Sequence, residues 1–142
     1  MKSKPVVIEH FSTVHTSYII DFKFTNNLTI LTGESASGKS ATYSFIKECM
    51  AINPNILCLN YLDYQKNIKE IISKEEGKLI VIDNADILLN DETRKYISLD
   101  AKNQYLIIGR NPQNMFITKE NLFELVSINE GEQTKFQIRP YL

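Results

Sequence analysis

The residues with the clearest chemical meaning lie between Gly33 and Ser40. They read Gly33-Glu34-Ser35-Ala36-Ser37-Gly38-Lys39-Ser40 and match G-x-x-x-x-G-K-[ST] at every specified position. Successive backbone N–H groups in such a loop turn inward and form a nest for anions. A helix starting near Lys39 adds the positive end of its dipole. Gly33 and Gly38 allow close backbone approach and unusual φ values. Ala36 fits the loop where its φ is negative. On this spacing Lys39 reaches the terminal phosphates of a triphosphate and the Ser40 hydroxyl binds Mg²⁺, with Ala41 next in the binding segment.

A second candidate is Asp83, which ends the run Leu79-Ile80-Val81-Ile82. Ligands of open α/β sheets sit at the carboxyl ends of strands, so Asp83 is expected beside Ser40 as a metal ligand acting through a water. Asn84 follows it. An amide orients a water but accepts no proton as a base. Asp86 either substitutes for a base or caps the helix that follows. A third strand, Tyr105-Leu106-Ile107-Ile108, delivers Gly109, Arg110 and Asn111 to the same edge. Arg110 and Asn111 are candidates for contacting the terminal phosphate or stabilising charge in the transition state, or else form a solvated turn before Pro112.

The elements that must hold these residues follow from periodicity. Val6-Val7-Ile8-Glu9 reads as a strand. Ser17 to Phe24 reads as another, with Tyr18, Ile20, Phe22 and Phe24 on one face. Leu28 to Leu31 is a short strand entering the loop. Ser40 to Ala51 reads as a helix with Ala41, Phe45, Ile46 and Cys49 inward, stopped by Pro54. Ile56 to Leu59 is a buried strand. Tyr64, Ile68, Ile71 and Ile72 mark an amphipathic helix ended by Gly77. A helical region runs from about Ile87 to Leu99 with a break near Asn90-Asp91. Leu122 to Ile128 and Thr134 to Ile138 flank a hairpin turn. Strand–helix alternation in the middle of the chain argues for a mainly parallel sheet with helices on both faces and antiparallel edge strands at either end of the sequence.

Composition bounds the rest. The chain has 142 residues and is read as one domain, residues 1–142, of α/β class. Sixteen basic and seventeen acidic residues leave a net charge of −1, which supplies no overall field for nucleic acid or an anionic membrane. No apolar run has the length of a membrane span, and the first residues show no secretory pattern. Cys49 and Cys58 lack metal spacing and read as buried thiols of a reducing compartment, so the expected location is the cytoplasm. His10 and His15 read as surface or packing residues. Tyr43, Tyr61, Tyr64 and Tyr96 are assigned to core and rim, and Lys66, Lys69 and Lys74 to a solvated face.

These segments together resemble a P-loop NTPase of the branch with an additional strand between loop and acidic motif, over roughly Ser17 to Pro112. Asp83-Asn84-Ala85-Asp86-Ile87-Leu88-Leu89 is similar to the DEAD-x-L-L style stretch of AAA-type ATPases and helicase loaders. Ile107 to Pro112 resembles their sensor segment. The resemblance implies a three-layer P-loop fold, ATP or GTP with Mg²⁺ as cofactors, and a protein partner or homo-oligomer. It departs from the pattern at Asn84, where glutamate is usual, and no helical lid follows Pro112. The opening β-pair also looks like ATP-binding cassette and SMC-type proteins, but their LSGGQ-like insertion is missing. The expected function is therefore Mg-dependent nucleotide binding with slow, partner-coupled hydrolysis. A non-hydrolytic binding module and a small-molecule kinase are the alternatives.

Overall fold

A computed structural model describes residues 4–32, 38–109 and 119–141. In these segments the order is β1 (His10–His15), β2 (Tyr18–Lys23), β3 (Leu28–Thr32), α1 (Lys39–Met50), β4 (Ile56–Leu59), α2 (Ile68–Ser73), β5 (Leu79–Ile82), α3 (Ala85–Leu88), α4 (Asp91–Leu99), β6 (Gln104–Ile108), β7 (Leu122–Glu130) and β8 (Gln133–Pro140). A 3₁₀ turn, Tyr61–Asp63, precedes α2.

The eight strands form one sheet in the order β1-β2-β8-β7-β3-β6-β5-β4. From β7 through β4 the neighbours run parallel, whereas β1–β2 and β7–β8 are antiparallel hairpins. The sheet is thus mixed rather than mainly parallel, since half its strands belong to hairpins. The C-terminal hairpin is also not an edge. β7 pairs with β3, and β8 pairs in parallel with β2, so the hairpin stitches the N-terminal strand pair onto the central strands.

The central strands are buried on both faces, which is why they read as unbroken apolar runs. Alternation sorts them into two cores. Leu31, Leu79, Val81, Leu106 and Ile108 pack with Tyr43 and Ile46 of α1. Ile30, Ile80, Ile82, Tyr105 and Ile107 pack on the opposite face with Ile68 and Ile72 of α2, Leu88 of α3 and Ile97 of α4. α1 touches both β4 and β1, the outermost strands, so the sheet curls around it.

The curl refines the predicted face of α1: Ile46 is in the core as expected, whereas Ala41 is not. Thr42, Tyr43 and Ile46 are the buried residues beside Lys39, while Ala41 is exposed. These positions lie three, four and seven residues beyond Lys39, so the face that seats the lysine is the one that faces the sheet. Phe45 and Cys49 are half-buried toward β1 instead.

Val6–Glu9 is likewise not a strand. Side chains satisfy most of it, although the Glu9 carbonyl accepts the Phe24 N–H (2.7 Å). Val6 N–H donates to Asn27 Oδ1 (3.0 Å), and the N–H groups of Val7 and Ile8 donate to Gln104 Oε1 (3.1 and 2.8 Å). Gln104 Nε2 donates back to the Ile8 carbonyl (2.9 Å). The first strand falls instead on His10–His15, whose polar outer residues hide its alternation.

The helix predicted from Tyr64 is shorter than its periodicity suggests. Asn67 starts α2 by accepting the Glu70 N–H (3.0 Å), leaving Tyr64 outside. The break near Asn90 is present. Asn90 Oδ1 accepts the Thr93 N–H (2.8 Å), and Asp91 and Glu92 occupy the first turn of α4.

Candidate functional site

β3, β6 and β5 are adjacent and parallel, so their carboxyl ends meet on one edge of the sheet. A cleft of about 410 Å³ opens there. Lys39, Ser40, Asp83, Asn84, Asp86 and Gly109 line it, with Ile87 and Ile108 as its apolar wall. Residues some seventy positions apart in sequence therefore share one recess. Gly33, Glu34, Ser35, Ala36 and Ser37 lie outside the described residues, as do Arg110 and Asn111.

Gly38 occupies the cap position of α1 with φ 95° and ψ 10°, a conformation that disfavours any side chain. Its carbonyl accepts the Thr42 N–H (3.0 Å) and so begins the helix. No acidic residue stands in the first turn of α1, which leaves the positive end of the helix uncompensated by its own sequence. Lys39 is only 5 % exposed, far more buried than a lysine normally is. Ser40 and Ala41 are exposed.

Asp83 is half-buried at the end of β5, and its backbone N–H donates to Leu59 O (2.9 Å). Burial raises its pKa above the usual carboxylate value, opposed by the Asn84 backbone N–H, which donates to Asp83 Oδ1 (2.8 Å), and by the charge of Lys39. The two expected partners, Lys39 and Asp83, therefore feel each other across the cleft.

Asn84 adopts a left-handed backbone, φ 56°. Its side-chain oxygen accepts the Tyr61 N–H (3.3 Å), tying the end of β5 to the turn after β4. Asp86 stands in the first turn of α3 and does not cap it. Asn84 holds the cap position and makes no side-chain cap bond there. The Asp86 carboxylate lies against Gly109, where a Cβ would come within 3.3 Å of Oδ1. A glycine at the end of β6 thus makes room for that carboxylate.

Among the described residues no group of three or more His, Cys, Asp or Glu could hold a metal. Ser40 and Asp83 offer one hydroxyl and one carboxylate. That sparse set suits Mg²⁺, which keeps most of its waters and takes further oxygens from ligand phosphates.

Tyr43, assigned from the sequence to core or rim, is in the core. It is buried in α1 one turn beyond Lys39, and its hydroxyl has no hydrogen-bond partner among the described residues. Burial raises its pKa, and Cys58, Asp83 and Asp63 add to this.

The remaining candidates are structural. His10 pairs with Asp21, and His15 stacks on Phe45 (4.8 Å) while its Nδ1 contacts Glu48 (2.7 Å). Lys66, Lys69 and Lys74 pair with Asp63, Glu92 and Glu70 on the surface. Cys49 and Cys58 are both free thiols. No helix among the described residues is long and apolar enough to cross a membrane. Comparison with protein-family models, with curated proteins and with solved structures finds no match to this chain.

Proposed function

We propose that the chain is a P-loop nucleotide-binding domain that binds a nucleoside triphosphate with Mg²⁺ and hydrolyses it slowly, in concert with a protein partner or a second copy of itself. The cleft at the joined ends of β3, β6 and β5 carries this proposal, because Lys39, Ser40 and Asp83 line it together. The strand order is consistent with a P-loop sheet, and apolar clusters on both faces are consistent with three layers.

In this proposal the backbone N–H groups at the start of α1 and the Lys39 ammonium take the negative charge of the phosphates. Ser40 and Asp83 hold the Mg²⁺, which neutralises charge developing on the terminal phosphate when bound. Ile87 and Ile108 keep one wall of the cleft apolar, which strengthens those interactions. The chain's own candidate for holding the attacking water is Asp86 rather than Asn84. A carboxylate can accept a proton from the water, which the Asn84 amide cannot, and the Asp86 carboxylate lines the cleft beside Gly109.

A second reading rests on the same Asn84. An amide accepts no proton as a base, so where Asp86 does not take that part the domain is a non-hydrolytic module. Phosphate release from Mg-ATP by the purified chain separates the two. Release is expected, it should disappear in Lys39→Ala, and it should fall at least tenfold in Asp86→Asn with binding retained. Binding without turnover in the presence of candidate partners selects the module. Calorimetry that detects neither ATP nor GTP at millimolar concentration rejects both.

A further inference from the structure

Away from the phosphate cleft, four polar side chains form a hydrogen-bonded chain where α1 meets β1. Side chains alternate along β1, and Phe11, Thr13 and His15 fall on the face turned toward α1. From α1 come Phe45, Glu48 and Cys49, three and four residues apart and so on one side of the helix. The His15 ring stacks on Phe45 at 4.8 Å. The turn after His15 passes through Thr16, which takes φ 50° and whose carbonyl accepts Gln133 Nε2 (3.4 Å).

The contact of His15 with Glu48 does more than hold the ring. Nδ1 lies 2.7 Å from Glu48 Oε2. An ionised carboxylate only accepts, so Nδ1 carries the proton, and Nε2 of the neutral ring is left as an acceptor. The Thr13 hydroxyl lies 3.3 Å from Nε2 and donates to it. Its oxygen in turn accepts from the Cys49 thiol at 3.3 Å. The order is therefore thiol, hydroxyl, imidazole, carboxylate, with every donor pointing the same way. A nucleophile coupled to a base, with the base oriented by a third group, is the arrangement that activates a nucleophile. Here a hydroxyl bridges the first step.

Exposure suits that part. The His15 side chain is 13 % exposed and that of Glu48 67 %, so the base is sheltered and its carboxylate stands at the surface. Cys49 is half-buried, whereas Cys58 is buried. Cys58 of β4 belongs to the same core and interacts with both Cys49 and Lys47 of α1. Tyr18 of β2 stacks on Phe45 at 5.1 Å.

We propose that Cys49 is a nucleophilic thiol, deprotonated by His15 through the Thr13 hydroxyl, that exchanges with low-molecular-weight disulfides. The Cys49 proton moves to the Thr13 oxygen as the Thr13 proton moves to His15 Nε2, and Glu48 holds the imidazolium that forms. The Cys49 sulfur attacks one sulfur of the disulfide, a new S–S bond forms and the old one breaks. The leaving thiolate takes up the proton held on His15 and departs as a thiol. Cys49 is oxidised to a mixed disulfide, and the departing half of the reagent is reduced.

The test mixes the whole native chain with dithiodipyridine, follows the released thiopyridone by absorbance and locates the modified residue by peptide mass. A free thiol of pKa about 8.5 is only about 3 % thiolate at pH 7, which leaves a base scope for about a tenfold gain. One thiol should react in the wild type, at Cys49, and none in Cys49→Ser. Thr13→Val, which keeps the branched shape and cuts the relay, and His15→Gln should each slow the reaction about tenfold at pH 7. Between pH 7 and pH 6 the Thr13→Val rate should fall about tenfold, as a free thiol's does, and the wild-type rate by less. Cys58 reports folding, because it should stay unreactive in every native variant and react in urea. Where Cys58 reacts without urea, that variant has lost its fold, and Glu48→Gln, a change at the surface, replaces it with the same expected slowing. Unchanged rates in the folded variants overturn the proposal, as does a wild-type chain whose Cys49 resists the reagent.

Discussion

Replacing Gly38 by alanine tests the point where the helix start, the loop and the C-terminal hairpin meet. Two costs add. The backbone at φ 95° is one that L-residues avoid, worth about 1–2 kcal/mol. The new methyl would also sit 3.0 Å from Phe136 Cε1. Phe136 is only 6 % exposed and Leu125 lies behind the same space, so the ring has little room to retreat. Overpacking of this kind costs about 1–3 kcal/mol. The sum centres on about 3 kcal/mol, a fall in Tm of about 10 °C for a domain of this size. Thermal or urea unfolding without ligand measures it. Gly131→Ala is the control, because it has φ 65° but nothing within 4 Å of the added Cβ, and so carries the backbone cost alone. The double variant Gly38→Ala with Phe136→Leu should recover part of the difference. If Gly38→Ala is no more destabilising than Gly131→Ala, the packing of the hairpin on the loop is not what this reasoning takes it to be.

Gln104→Leu keeps volume but strips the partners of the Val7 and Ile8 N–H groups and the Ile8 carbonyl. It should cost about 2–4 kcal/mol in urea unfolding, and the Val7 and Ile8 amides should lose protection from hydrogen exchange. Burial pushes the Cys58 thiol up to about 12, so iodoacetamide at pH 8 should leave it unmodified in the native chain and label it after unfolding; rapid native labelling would contradict its place in the core. The Asp21 carboxylate is held below its ordinary value of 3.8, chiefly by the hydrogen bond with His10 and against the cost of burial. A lowered folded pKa gives stability that is present above the unfolded pKa and lost as pH falls through the folded one. Asp21→Asn should therefore cost up to about 1 kcal/mol at pH 5–6, with the difference from wild type shrinking below about pH 4; a constant difference down to pH 2 would show that shape rather than charge matters there.

Local chemistry was legible wherever a residue's neighbours in sequence are also its neighbours in space. The run Leu79–Ile82 had to be a buried strand because four consecutive apolar residues suit burial on both faces, and Asp83 had to end it. Asn90 marked the break before α4 because its side chain caps three residues on. The G-x-x-x-x-G-K-[ST] spacing alone singled out Lys39 and Ser40, both of which line the cleft. What depended on distant residues was not legible. Val7 and Ile8 look like a strand, but Gln104, almost a hundred positions away, supplies the amide that holds them. Periodicity located α1 and placed Ile46 inward, but it gave Ala41 to the core and missed Thr42 and Tyr43, because the exact face was decided by how the sheet curls around the helix between β1 and β4. The hairpin of β7 and β8 was readable as a hairpin, yet its insertion beside β3 was not, since pairing partners of adjacent strands carry no local mark. Asp86 shows the same division. Its sequence position left open a helix cap or a stand-in for a base, and only the meeting of β5 and β6 set its carboxylate against Gly109, on the cleft that Lys39, Ser40 and Asp83 also line.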